Sequence, residues 1–235
     1  MRFDTTQWTL VLAAGGDSPT SRDALARLCE IYWYPLYAYI RRRGADAEDA
    51  RDLTQALFAS LLERRSFDGL RQERGRFRAF LLASANHFLA NDAVRRRALK
   101  RGGPAPALSM LSLEDAEGRY RYEPAAPSTP ETLFDRRWAL TVIDRVLQRL
   151  RRDAVGAGGE REFDRLKPCL LGDAPPGGYQ AVAAELDTTE GAVKVAIHRL
   201  RRRFQARLRD EIADTVATEA DVDEEIRYLI RALDA

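Results

Sequence analysis

Residues 179–204 read YQAVAAELDTTEGAVKVAIHRLRRRF, a short helix, a tight corner and a longer helix. The first helix is expected over 179–186, where Ala181, Val182 and Ala184 are small enough for close helix crossing. Asp187 and Thr188 make the corner. Thr189 is a good N-cap, because its hydroxyl can accept a first-turn N–H, and Glu190 sits where the positive end of the helix dipole favours an anion. In the second helix Val193, Ile197, Leu200, Phe204 and Leu208 recur at spacings of 4, 3, 4 and 4. That spacing makes one narrow apolar stripe, to be buried. At about 100° per residue, Gly191, Val195, His198, Arg199 and Arg202 face away from the stripe, with Lys194 and Arg201 beside them.

This pattern reads as a helix-turn-helix whose second helix enters the major groove of duplex DNA. Val195 suits a thymine methyl, Lys194 or Arg199 a guanine acceptor, and Glu190 a cytosine amino group. Arg201, Arg202 and Arg203 suit phosphates, which position a helix without reading sequence.

Outward from this motif the chain is helical throughout. Trp8, Val11 and Leu12 place a short helix within residues 3–14, before Gly15, Gly16 and Pro19. A second is expected over 21–43, carrying Leu25, Leu28, Ile31, Tyr32, Leu36, Tyr37 and Ile40, kinked or broken at Pro35 and ended by Gly44. Asp46 can cap the next, which carries Ala50, Leu53, Leu57, Phe58, Leu61 and Leu62. A long helix is expected over 76–101, with Phe77, Phe80, Leu81, Ser84, Phe88 and Val94 near one stripe. Residues 102–130, with prolines at 104, 106, 124, 127 and 130, read as a linker. Helical pattern resumes at 130–150, and a second segment covers 163–171 after a glycine-rich stretch. Alternation of β-branched residues is absent, so no strand is expected. The fold class is therefore all-α: small helical domains at 1–101 and 131–209, a Pro-rich linker at 102–130, and an acidic C-terminal extension at 210–235.

The 235 residues are 45% hydrophobic and 31% charged, enough for real cores and a wet surface. No stretch approaches the roughly 20 apolar residues of a membrane span. Residues 1–12 lack a basic leader followed by a long apolar run, so no secretory signal is expected. Cys29 and Cys169 are far apart and read as reduced, buried thiols in a cytoplasmic protein. HExxH, P-loop, nucleophile-elbow and metal-ligand patterns are absent, so neither an enzyme, a metal nor a cofactor is expected. The net charge of +2 hides a strong asymmetry. Residues 95–101 hold five cations and no anion, residues 199–209 six arginines and no acid, and residues 210–235 nine acids against two arginines.

The helix over 76–101 combines phenylalanines, amides and a basic end. Unpaired bases stack on rings, and cations hold the backbone, so this combination suits single-stranded nucleic acid. Asn86, His87, Asn91 and Asp92 have the groups to hydrogen-bond bases.

Taken together, the blocks resemble an RNA polymerase sigma factor of the extracytoplasmic-function group, over most of the chain. YWYPLYAYIRRRG, DARDLTQALFASLLE and GRFRAFLLASANHFLANDAVRRR look like sigma region 2. FDRRWALTVIDRVLQRL and YQAVAAELDTTEGAVKVAIHRLRRRF look like region 4. A Pro-rich linker with no region 3 domain fits the minimal type. The resemblance implies a factor that binds core RNA polymerase, at the β′ clamp helices and the β flap, and directs promoter recognition and opening. It implies that Asp49, Asp52, Gln55 and Phe58 face the clamp. It places Asn86, His87, Asn91, Arg95, Arg96 and Arg97 near unpaired bases of the −10 element. Glu190, Lys194, Val195, His198, Arg199 and Arg202 fall at the duplex −35 element. Many members carry DAED before the glutamine; here Asp49-Ala50-Arg51-Asp52 stands there, and DAED occurs at 46–49.

Arg51 weakens an otherwise negative face, and a Ser/Thr kinase acting at Thr54 would restore charge there. The tail carries Ile226, Leu229, Ile230 and Leu233 on one stripe, expected to dock near the helix-turn-helix and screen its arginines, or to bind a regulator such as an anti-sigma factor. The alternative function is a helix-turn-helix regulator that binds operator DNA without joining the polymerase. It leaves the 76–101 helix idle, and it normally needs a dimer.

Overall fold

The computed structural model describes residues 19–63, 76–98, 113–121, 129–170 and 177–234, with backbone alone at some helix positions such as 93–98. The helix expected over 3–14 lies outside them, as do residues 99–101 and most of 102–128. In chain order the helices are α1 (Pro19–Arg42), α2 (Ala47–Glu63), α3 (Phe77–Ala98), α4 (Leu113–Arg121), α5 (Pro130–Gly156), α6 (Glu160–Leu166), α7 (Gly178–Glu185), α8 (Glu190–Ala213) and α9 (Glu219–Asp234). A 3₁₀ turn, Lys167–Cys169, follows α6. Among the described residues the fold is helical, and its β pairing is an isolated bridge between Arg76 and Val216. None of the described helices is long and apolar enough to cross a membrane.

The chain divides into two compact units. The first is Met1–Thr141 with Ile212–Ala235, and the second is Val142–Glu211. The division falls inside α5 and at the end of α8, rather than at residues 131 and 209.

The first unit is built on α1. Every side chain from Ile31 to Ile40 is buried, so this stretch is a core helix and not an amphipathic one. Its rings meet others on several sides. Trp33 stacks on Tyr37 with centroids 5.5 Å apart, and Tyr32 meets Phe77 edge-on at 5.0 Å. The helix continues through Pro35 instead of breaking there. Proline removes one N–H, and burial on all sides holds the remaining turns. Gly44, at φ +98°, ends the segment, and the Asp46 carboxylate accepts the Asp49 N–H at 2.8 Å to open α2. From α2, Ala50, Leu53, Leu57, Phe58 and Leu61 are buried; from α3, Phe77, Phe80, Leu81 and Ala85.

Part of the expected linker is ordered helix. All five of its prolines fall outside Leu113–Arg121, so they bound α4 and do not interrupt it. Ala116 is buried, and Glu117 accepts from Arg41 Nη2 at 3.0 Å and from the Tyr37 hydroxyl at 2.7 Å.

The C-terminal extension departs from expectation too. From Ile212 on it belongs to the first unit, and the acids of α9 meet Arg76 and Arg78 at the start of α3 instead of the helix-turn-helix arginines. Glu225 bonds Arg78 Nε at 3.0 Å, and Asp135 bonds Arg78 Nη1 at 2.7 Å. Arg76 pairs with Glu224 and lies 3.4 Å from Glu225. The Arg78 guanidinium is 3.9 Å from the Tyr228 ring centroid and 5.2 Å from that of Trp138. Burial alone would push Arg78 towards its neutral form, but the bonds to Glu225 and the charge of Asp135 hold it firmly ionised. The backbone joins in, with Phe77 N–H donating to the Thr215 carbonyl at 3.0 Å. Because Glu225 must reach Arg78, α9 buries Val222, Glu225, Leu229 and Ala232, and the expected stripe is rotated: Ile230 is 53% exposed.

The second unit gathers Val142, Ile143, Val146 and Leu150 of α5 with Phe163 and Leu166 of α6, Val182 and Ala183 of α7, and the inner stripe of α8. Its second segment starts earlier than the expected 163, at Glu160, after Gly158 at φ +73° reverses the chain. Glu211 is buried at the end of α8 and binds Arg145 at 2.6 Å and Arg149 at 2.8 Å, both on α5.

Candidate nucleic-acid interface

The corner between α7 and α8 is built by backbone hydrogen bonds. Leu186 N–H returns to Val182 O at 3.1 Å, and Thr188 N–H to Ala183 O at 2.9 Å. Asp187 takes the left-handed conformation, φ +50°, which aspartate tolerates better than most residues. Thr189 then caps α8, its hydroxyl accepting the Ala192 N–H at 3.2 Å. Val193, Ile197, Leu200 and Phe204 are buried, and Leu208 is half-buried. The α8 stripe thus locks onto the unit's interior and fixes which residues stand outside.

Gly191, Val195, His198, Arg199 and Arg202 are exposed, Val195 at 49%. Glu190 and Lys194 pair with each other at 2.7 Å, one turn apart. That bond raises the Lys194 ammonium above its usual range. Both groups are exposed, so the pair is weak and open to exchange. Lys194 Nζ also lies 5.8 Å from the Tyr179 ring centroid. Arg201 instead turns to the unit's own backbone and donates to the Cys169 carbonyl at 2.8 Å. Among the described residues Arg199, Arg202 and Arg203 have no carboxylate partner. Unpaired guanidiniums on an outer helix face are ready donors for phosphate or base oxygens.

On α3, Asn86, His87, Ala90 and Asn91 form one exposed patch. Phe77 and Phe80 are core residues, so they offer no stacking platform, and Phe88 is half-buried. The backbone of Arg95, Arg96 and Arg97 continues α3, and their side chains lie outside the described set. Sequence reading missed a polar cluster around Asn86. Tyr39 donates to Asn86 Oδ1 at 2.7 Å, and Arg43 bonds both Asn86 Oδ1 and, at 2.8 Å, the Tyr39 oxygen. Tyr39 and Arg43 are one helical turn apart, a visible spacing, but nothing in sequence brings them to Asn86.

On α2, Asp52 is exposed and bonded to Arg51 at 3.2 Å, and Asp49 and Gln55 are half-buried. Phe58 is placed elsewhere, in the core at 1% exposure, and so does not share their face. Thr54 is fully buried and its hydroxyl donates to the Ala50 carbonyl at 2.7 Å, an arrangement closed to a kinase. The Thr54 switch is therefore set aside: the residue follows Leu53 around to the packed side of α2.

Comparison with known proteins finds no matching family model, no matching curated protein and no matching solved structure.

Proposed function

We propose that the chain is a sigma-type initiation factor, a cytoplasmic protein that joins core RNA polymerase and directs it to promoters. The observation that carries the reading is the outer face of α8: a capped recognition helix with exposed Val195, His198, Arg199 and Arg202, whose arginines lack carboxylate partners. Such a face suits the major groove of the duplex −35 element, with Val195 and Arg199 reading bases and Arg202 holding phosphate. The Asn86, His87 and Asn91 patch on α3 supplies polar groups for unpaired −10 bases. Asp49, Asp52 and Gln55 on α2 offer a carboxylate-rich face for the β′ clamp helices, and the second unit is assigned to the β flap. The chemistry is recognition and strand capture, and it calls for no cofactor.

The test is a selection of duplexes from a random pool, with and without core polymerase. A sigma factor enriches two elements at a fixed separation, and the downstream one becomes permanganate-reactive when polymerase is present. Enrichment of a single operator, equal with and without polymerase, would instead establish the operator-binding regulator.

A further inference from the structure

The patch on α3 contains one side chain whose hydrogen-bonding sense is set by its neighbours. Asn86 is exposed, and its Oδ1 receives two donors, the Tyr39 hydroxyl at 2.7 Å and Arg43 Nη1. Arg43 Nη1 also donates to the Tyr39 oxygen at 2.8 Å, and the guanidinium carbon lies 5.5 Å from the Tyr39 ring centroid. The two ends of an amide are nearly the same shape, so the chemistry of the partner must separate them. A guanidinium has donors and no acceptor. The amide atom that meets Arg43 is therefore the carbonyl oxygen; a rotated amide would set N–H against N–H. The single Tyr39 proton has a second acceptor in Glu131 Oε1, at the longer distance of 3.3 Å. That rival does not alter the result, because Arg43 alone fixes the amide.

We infer that Asn86 shows an unpaired base only its NH₂ group, and so selects, at the exocyclic C4 or C6 position it meets, an oxygen (thymine O4 or guanine O6) over an amino group (adenine N6 or cytosine N4). The inference rests on reading α3 as the single-strand surface, and adds a class of base together with two positioning residues, Tyr39 and Arg43. Among the described residues Asn86 Nδ2 has no partner, so the donors are available. An unanchored amide rotates and accepts either class. The anchored one would leave donors facing donors against an adenine or cytosine amino group, with neither satisfied.

The experiment uses the full chain with core polymerase and fork-junction DNA whose unpaired strand is varied one position at a time. Competition binding is read as base preference at each position. The wild-type complex is expected to favour thymine or guanine at one position by about five- to ten-fold. Asn86→Asp keeps an oxygen for Arg43 and Tyr39 but makes the outward atom an acceptor, so the preference there should reverse to adenine or cytosine. Arg43→Met frees the amide, so the preference there should fall towards unity with the other positions unchanged. An Asn86→Asp complex with the wild-type preference would overturn the inference alone. Failure of the wild-type complex to retain the unpaired strand would overturn the reading of α3, and the inference with it.

Discussion

Val195 and Arg202 lie on the same exposed face of α8 but have different chemistry, and their variants should separate accordingly. Val195→Ala removes methyl contact at one base step, so duplex affinity should fall for one base identity and not for others. Arg202→Ala should weaken all duplexes alike and flatten the dependence of binding on salt by about one ion. Binding isotherms over a set of single-substitution duplexes at two salt concentrations distinguish them. Thr54 makes the opposite point. Thr54→Asp would place a carboxylate where a hydroxyl is fully buried and bonded to a carbonyl. It should destabilise the fold by roughly 3 kcal/mol or more, the cost of burying an unpaired charge, and it should not strengthen polymerase binding. Chemical denaturation checks the first and co-elution with core polymerase the second. The thiols give a third expectation. Cys29 is fully buried, and burial, reinforced by Glu30, pushes its thiol well above the usual range. The thiolate is the reactive form. Cys29 should therefore resist maleimide at pH 8 in the folded protein and react once it is unfolded.

The helix-turn-helix was legible residue by residue, because a cap, a corner and a single apolar stripe are local signals. Thr189, Asp187 and the stripe from Val193 to Phe204 stand where spacing puts them. The element that sequence misjudged is α9. Its apolar residues allow either of two faces inward, and the choice is made by Glu225, which meets Arg78 147 residues away in sequence. Helical periodicity contains no term for such a pair. The helix α4 was hidden for a related reason: the composition of 102–130 is dominated by prolines that stand outside it. The Asn86 cluster was missed because its members come from α1, α3 and α5. The docking of α9 also changes what a truncation means. Glu225→Gln leaves Arg78 with Asp135 as its carboxylate partner, so the loss should be about 1.5–3 kcal/mol, that of a hydrogen bond to a charged group. The variant should lower the unfolding midpoint of the first unit. Deletion of 212–235 should do so more strongly, whereas a simple autoinhibitory tail could be removed with stability intact and DNA binding increased.

At the scale of the whole molecule, the basic and acidic segments have separate uses. Four of the acids after residue 210, Glu211, Asp221, Glu224 and Glu225, pair with arginines of the protein itself, Arg76, Arg78, Arg145 and Arg149. Arg199, Arg202 and Arg203 of α8, which have no carboxylate partner among the described residues, are left for an external anion. A protein of near-zero net charge can thus carry a concentrated basic face on one unit and an exposed polar patch on the other. On the proposed function each face alone would be a modest DNA ligand, and polymerase would bring both to one promoter. The most direct measurement is therefore transcription from a template selected with the complex, using core polymerase with and without the chain. On the proposed function, a run-off product of one defined length appears only when the chain is present, and is lost with Arg199→Ala. Tight, sequence-specific duplex binding by the chain with no start-specific transcript would contradict it.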